Sequence, residues 1–300
     1  MKTRITIVVV AFLLMTLGLT GPAAQAQGPC NLKSLTGTYA IAEKGSSAIL
    51  DPNSEPYPLH WAGALSPFVA IGEVTFDGNG IGKGFYWIRI GSFSSGPDPV
   101  PVEVTVTELN ADCTGKLQFP FNLFGSTYTV EERFISFDNG RESRSIPTET
   151  GVPTLTYVGE THRIGKPGDP PNSCGQQTAQ GSYLWTVENL VRFDTPYPIF
   201  SDALLIRMNV SMTGEFTGTL YEKLGPTGNI ELPVWGTTTV NPDCSFVSIL
   251  NIDFPNLGIT ATAPVRGVLY DEGKKAFGLN MNSGPIGTQY SFGEAVRIGQ

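Results

Sequence analysis

The sequence predicts an all-β protein built from two tandem antiparallel domains of about eight strands each. Apolar and polar residues alternate with a period of two over several segments, which is the pattern of strands with one buried face. Glycine accounts for 35 and proline for 23 of the 300 residues, a density of turn formers that fits many short strands better than long helices. The motifs of the first half recur in the same order in the second half. These observations together indicate a duplicated β-domain.

The alternation is clearest in two segments. In the first half it places Val102, Val104 and Val106 on one face, and in the second half it does the same for Leu204, Ile206, Met208, Val210 and Met212. Tight turns are predicted at 77–80 and 138–140, where Gly and Asn accept positive φ at little cost. The runs between turns predict first-half strands near 35–43, 68–77, 81–90, 100–110, 114–122, 126–137, 140–147 and 153–164, with a matching set over 181–298.

The internal repeat is anchored by cysteines and by short motifs. Cys30 and Cys174 each precede a Gly-x-Tyr segment, and Cys113 and Cys244 each follow an Asn-x-Asp segment. The segments 133–140 and 266–273 match, as do 159–165 and 293–299. The order of these anchors predicts a first β-domain over 27–165, a Pro/Gly-rich linker over 166–173 and a second β-domain over 174–300.

The first residues resemble an export signal. A basic start is followed by an uncharged apolar run over 5–20, a Gly-Pro break and an Ala-x-Ala sequence that ends at Ala26. This is the three-part pattern of a secretory signal peptide, so we expect 1–26 to be removed and the mature protein to be secreted or periplasmic. An uncleaved membrane anchor is the alternative, although the run is shorter than the ~20 residues of a spanning helix. No later segment is apolar enough to span a membrane.

Export changes the chemistry expected of the four cysteines. An even number of cysteines in an exported chain indicates disulfides. If each copy folds alone, the pairs are Cys30–Cys113 and Cys174–Cys244. Pairing between the copies is the alternative, and it would tie the two domains together.

Both copies resemble the calycin pattern of lipocalin-type β-barrels. The resemblance rests on a Gly-x-aromatic on the first strand, which contains Tyr39 or Tyr183, and on an arginine at the end of the last strand, Arg163 or Arg297. It implies that Tyr39 with Arg163, and Tyr183 with Arg297, close one end of each barrel. The alternative is that both arginines are strand-end residues that face water. On the strength of this resemblance, a closed barrel is favoured over a β-sandwich.

Composition excludes several function classes. The net charge is −8, and no basic stripe is present to neutralise phosphates, so we expect no nucleic-acid partner. The chain has two histidines, which supports neither a Ser-His-Asp triad nor a zinc site. We therefore expect no catalytic residue, no metal and no cofactor.

Sequence differences between the copies indicate candidate binding residues. A long first-copy insertion contains Tyr57, His60 and Trp61, and the shorter second-copy segment contains Tyr197. Loops at a barrel mouth commonly carry binding residues, although aromatic and proline residues can also simply fix a loop to the rim.

Three functions remain open. The leading hypothesis is a secreted, non-catalytic protein that binds a small apolar ligand. The second is a structural or interaction module that engages an envelope component. The third is a barrel isomerase or cyclase, whose first candidate residues are Glu160, Arg163, Glu294 and Arg297.

Overall fold

The computed structural model of the chain describes residues 30–47, 66–90, 93–96, 98–123, 126–149, 155–164, 174–192, 200–223, 229–255, 258–281 and 288–299. Antiparallel strands dominate these ranges and form two closed barrels. The expected all-β fold is therefore confirmed, and the barrel is confirmed over the sandwich. Among the described residues, no helix has the length and apolar character needed to cross a membrane.

The first barrel is an up-and-down meander closed by pairing of its first and last strands. Its strands are β1 (Gly37–Ser47), β2 (Ser66–Phe76), β3 (Ile81–Ile90), β4 (Phe93–Ser94), β5 (Val100–Leu109), β6 (Thr114–Leu123), β7 (Ser126–Phe137), β8 (Glu142–Glu149) and β9 (Thr156–Arg163). β4 is a two-residue addition that pairs with β3, and the other eight strands form the barrel wall. Closure pairs every wall strand on both sides, which removes the exposed edges of an open sheet.

The second barrel repeats this arrangement. Its eight strands are β10 (Gly181–Arg192), β11 (Phe200–Val210), β12 (Glu215–Lys223), β13 (Asn229–Val240), β14 (Ser245–Phe254), β15 (Ile259–Tyr270), β16 (Lys275–Asn280) and β17 (Thr288–Gly299). Each pairs with the next, and β17 pairs with β10. A single-turn 3-10 helix precedes each barrel, at Leu32–Leu35 and at Gln176–Ala179.

Period-two alternation determines what lies inside each barrel. Along β11 the side chains of Leu204, Ile206, Met208 and Val210 are buried in the second core. Met212 was expected to continue this series but is 65% exposed. The strand ends at Val210, and Met212 lies in the following turn, where the alternation no longer applies.

The hairpin turns form where Gly and Asn predicted them. Asp77 Oδ1 accepts hydrogen bonds from the backbone N–H groups of Asn79 and Ile81, at 2.7 and 3.2 Å. In the β7–β8 turn the backbone of Asp138, Asn139 and Gly140 has positive φ throughout. The corresponding residues 271–273 of the second barrel have the same conformation.

One disulfide lies in each half of the chain. Cys30 is bonded to Cys113 across 83 residues, and Cys174 is bonded to Cys244 across 70 residues. Each bond joins the segment before a barrel to the turn that follows its fourth wall strand, so neither bond links the two barrels.

The two barrels pack together through the outer faces of β1–β3 and β15–β17. The apolar centre of this interface is Ala40, Ala42, Ile71 and Trp87 of the first barrel against Val268, Tyr270, Phe277, Leu279 and Phe292 of the second. The buried Arg89 donates from Nη1 to the carbonyl oxygen of Asn280 at 2.7 Å. His162 stacks on Tyr270 with the ring centres 4.7 Å apart. The interface therefore combines an apolar patch with specific polar contacts.

Candidate functional site

At one end of the first barrel, Arg163 contacts Tyr39. Arg163 Nη2 donates to the Tyr39 hydroxyl at 2.7 Å and to the carbonyl oxygen of Ser34 at 2.8 Å. The Tyr39 hydroxyl donates to the carbonyl oxygen of Gly140 at 2.7 Å. The guanidinium carbon lies 5.2 Å from the centre of the tyrosine ring, within cation–π range. Burial raises the pKa of Tyr39 in spite of the hydrogen bond and charge of the arginine.

The second barrel has the same arrangement at the equivalent end. Arg297 Nη2 donates to the Tyr183 hydroxyl at 2.8 Å and also to the carbonyl oxygen of Thr178. The Tyr183 hydroxyl donates to the carbonyl oxygen of Gly273 at 2.8 Å. Each tyrosine–arginine pair thus connects the 3-10 turn, the first strand and the hairpin turn 138–140 or 271–273. The structure places both arginines against their tyrosines.

The interior of the second barrel contains an apolar cavity of about 180 Å³. It extends from Tyr183 at one end of the barrel to Phe254 and Ile259 at the opposite end. Most of its wall is aliphatic and aromatic, and the few polar wall residues are Thr238, Ser248 and Asn280.

The interior of the first barrel contains a smaller cavity of about 80 Å³ whose wall includes two carboxyl groups. Glu43 on β1 and Glu132 on β7 both point inward, in line with the apolar side chains of their strands. The hydroxyl of Tyr157 donates to Glu132 Oε1 at 2.5 Å. Ser145 forms a second hydrogen bond with Glu132.

Burial dominates the titration of this pair. It raises the pKa of Glu43 well above its usual range, and the charge of Glu132 raises it further. Burial also raises the pKa of Glu132, while the hydrogen bonds from Tyr157 and Ser145 act in the opposite direction. Two carboxyl groups that repel each other inside a barrel retain a proton at a pH where exposed carboxylates have lost theirs.

The carboxylates named from the sequence have ordinary surroundings. Glu160 lies on the outer face of β9, where Arg144 Nη2 is 3.0 Å from its Oε2 and His162 Nε2 is 3.7 Å away. The hydrogen bond from His162, with the charge of Arg144, lowers the pKa of Glu160. Glu294 accepts a hydrogen bond from the Tyr270 hydroxyl at 2.7 Å. Neither carboxylate is placed beside the closing arginine of its own barrel.

Sequence reasoning missed Glu43 and Glu132 as interior groups. The available signal was the period-two pattern itself, because Glu43 continues the inward series of Tyr39 and Ile41, and Glu132 lies between the inward residues Val130 and Phe134. The predicted loop residues Tyr57, His60, Trp61 and Tyr197 lie outside the described residues. Within the described ranges, no group of three or more His, Cys, Asp or Glu side chains is arranged to hold a metal ion.

Comparisons with known proteins return structural neighbours only. No protein-family model matches the chain, and no curated protein does. Seventeen chains of solved structures match. Transferrin binding protein B from Neisseria meningitidis is 10% identical with a TM-score of 0.32, over 77% of this chain and 66% of that chain. This chain thus spans just under two thirds of that neighbour.

Two further neighbours illustrate the range of the matches. Transferrin binding protein B from Haemophilus parasuis is 8% identical with a TM-score of 0.31, over 87% of this chain and 75% of that chain. A putative outer membrane protein from Bacteroides fragilis is 12% identical with a TM-score of 0.26, over 89% of this chain and 100% of that chain.

Proposed function

We propose that the protein is an exported, non-catalytic binding protein whose second barrel takes up a small apolar ligand. The observation that carries this proposal is the apolar cavity of about 180 Å³ inside that barrel. Water in such a cavity finds few hydrogen-bonding partners, so an apolar molecule is the favoured occupant.

The size of the cavity limits the ligand. At about 15–30 Å³ per non-hydrogen atom, a range that includes benzene in a cavity of about 150 Å³, 180 Å³ encloses about 6 to 12 non-hydrogen atoms. Because Tyr183 and Arg297 close one end, the ligand enters at the opposite end, where Phe254 and Ile259 border the cavity. Ile259 is 46% exposed there, which is consistent with an apolar rim.

Export is part of the same proposal. The signal-peptide pattern over 1–26 agrees with the two disulfides, because such bonds persist in oxidising compartments. The domain limits 27–165 and 174–300 likewise remain a proposal. N-terminal sequencing of the exported protein tests the cleavage site, and a first residue other than Gln27 would move it.

A fluorescence titration tests the ligand. The naphthalene part of N-phenyl-1-naphthylamine falls in this size range, and the probe becomes fluorescent when it leaves water. We expect saturable binding to the full chain and at least tenfold weaker binding to Ala263→Phe, which fills the cavity from β15. Thr262→Phe is the matched control, because the neighbouring side chain points outward, and we expect its affinity to change less than twofold.

Two outcomes of the titration would contradict the proposal. A probe that fails to bind the wild-type chain, or that binds Ala263→Phe as tightly as wild type, excludes the second barrel as its site. In that case the alternative of an interaction module becomes the better account. Capture of an envelope component by the immobilised chain would then be the next measurement.

A further inference from the structure

The two barrels share one frame but differ in the chemistry of their interiors. In register with the closing pairs, Glu43 of the first barrel corresponds to Val187 of the second, since these residues pair with Gly159 and Gly293. Counted back from the matching hairpin turns 138–140 and 271–273, Glu132 of the first barrel corresponds to Val265 of the second. The second barrel closes with valine at both positions, so the fold does not require carboxyl groups there.

The acidic interior carries an energetic cost that packing does not offset. Burial of a carboxyl group is unfavourable unless hydrogen bonds or an opposite charge compensate it. Glu132 is compensated in part by Tyr157 and Ser145. For Glu43 the effects are burial and the repulsion of Glu132, and both raise its pKa. A group held at such a cost beside a cavity is characteristic of a functional site.

We propose that the first barrel binds a small organic cation, with the ammonium group between the carboxyl groups of Glu43 and Glu132. A monocation supplies the opposite charge that the described interior lacks, and its N–H groups donate to carboxylate oxygens. The hydrocarbon part of the ligand would contact the apolar wall, which includes Ile88 and Phe119.

The geometry favours an organic cation over a metal ion. A hard divalent cation takes six or more oxygen ligands, whereas no group of three candidate ligand residues occurs among the described residues. Tyr86 and Phe119 add aromatic rings to the wall, and aromatic faces attract ammonium groups. At the same value of about 15–30 Å³ per non-hydrogen atom, a cavity of about 80 Å³ fits a ligand of about three to five non-hydrogen atoms.

Calorimetric titration with two probes of equal size tests the charge requirement. n-Butylammonium and 1-butanol each have five non-hydrogen atoms, and at neutral pH only the amine is charged. We expect saturable binding of n-butylammonium to the full chain and at least tenfold weaker binding of 1-butanol. Equal binding of the two probes, or no saturable heat with the amine, overturns the proposal.

Three variants locate the site. Glu43→Val introduces the residue of the second barrel, and Glu132→Gln removes the charge while keeping the shape of the side chain. We expect each to weaken n-butylammonium binding at least tenfold. Glu131→Gln is the matched control, because Glu131 directly precedes Glu132 on β7 and points outward, with its Oε1 atom 3.2 Å from Lys116 Nζ. We expect this variant to bind n-butylammonium with an affinity within twofold of wild type.

Two further readouts separate loss of the site from loss of the fold. Glu43→Val should melt no lower than the wild-type chain, because a buried acid is replaced by an apolar residue. It should also retain N-phenyl-1-naphthylamine binding in the second barrel. Unchanged amine affinity in both Glu43→Val and Glu132→Gln overturns the proposal, whatever the naphthylamine titration shows.

Discussion

We expect Glu73 to make the free energy of unfolding sensitive to pH. Its side chain lies on the outer face of β2, beside Ala40 and Phe85 in register, and it is only 8% exposed. Within the described part of the chain, its Oε2 atom has no hydrogen-bonding partner. Burial, and then the charge of Asp243 from the second barrel, raise the pKa of Glu73 from 4.5 to about 8.

The sign of the effect follows from proton linkage. The folded protein keeps the Glu73 proton up to about pH 8, whereas the unfolded chain releases it near pH 4.5. Folding is therefore favoured by this group below pH 4.5, and that contribution is lost as the pH rises toward the folded pKa. At about 1.4 kcal/mol per pH unit, the loss between pH 4.5 and pH 7 is about 3 kcal/mol.

Glu73→Gln should remove this loss. At pH 4 we expect the free energy of unfolding of the variant to be equal to or lower than that of the wild-type chain. At pH 7 we expect it to be higher by about 2–3 kcal/mol. Denaturant unfolding followed by tryptophan fluorescence, at fixed ionic strength and several pH values, measures the difference. Glu103→Gln is the control, because Glu103 is 57% exposed in a surface ion pair and should contribute less than about 1 kcal/mol.

The quantity that decides is the difference between the two chains as a function of pH. Other buried carboxyl groups, such as Glu43 and Glu132, titrate equally in wild type and variant and cancel from the comparison. A difference that stays constant from pH 4 to pH 8.5 would refute the assignment of a raised pKa to Glu73.

Two predictions concern the closed ends of the barrels. Replacing Cys174 and Cys244 together by serine opens a loop of 70 residues and should lower the free energy of unfolding by about 4 kcal/mol in the chain-entropy model. Calorimetry of the oxidised wild-type chain and of the variant measures the difference, and equal melting temperatures would contradict the prediction. Tyr39→Phe keeps the ring but removes the hydroxyl that donates to Gly140, which should cost about 1–3 kcal/mol. The exposed Tyr221→Phe is its control, and a similar loss in both variants would count against the closing contact.

Strands and turns were predictable because local residues specify them. The turn at 77–80 contains an Asp side chain that accepts its own loop N–H groups and two glycines with positive φ, so both neighbouring strands end where expected. The predicted strand at 81–90 agrees with β3 at both ends. The two-residue β4 was not predicted, because so short a pairing leaves no periodic pattern in the sequence.

The acidic interior was not predictable from local sequence. Period two alone turns Glu43 inward with Tyr39, but a charged residue in such a series is ordinarily at the surface. Whether burial of its carboxyl is tolerated depends on Glu132 and Tyr157, which are distant in sequence and meet it only after the barrel closes. Glu160 and Glu294 lie three residues before Arg163 and Arg297, so on a regular strand they point to the opposite face from the arginines.

His162 shows that equivalent outer positions of the two barrels have different surroundings. Val296 occupies the equivalent position in the second barrel and is 44% exposed. His162 instead packs on Tyr270 across the interface between the barrels. An outward position is constrained by what covers it, and only one of the two equivalent faces is covered.

The same reasoning explains how one frame supports two different interiors. Each barrel is fixed at one end by its disulfide, its 3-10 turn and its tyrosine–arginine pair, and these contacts are nearly the same in both copies. The middle of each barrel then has to satisfy packing alone, and valine at 187 and 265 does so without buried charge. Glu43 and Glu132 at the equivalent places therefore lower stability where the fold gives no reason for it, and a bound cation is the simplest compensation that the chemistry of the cavity allows.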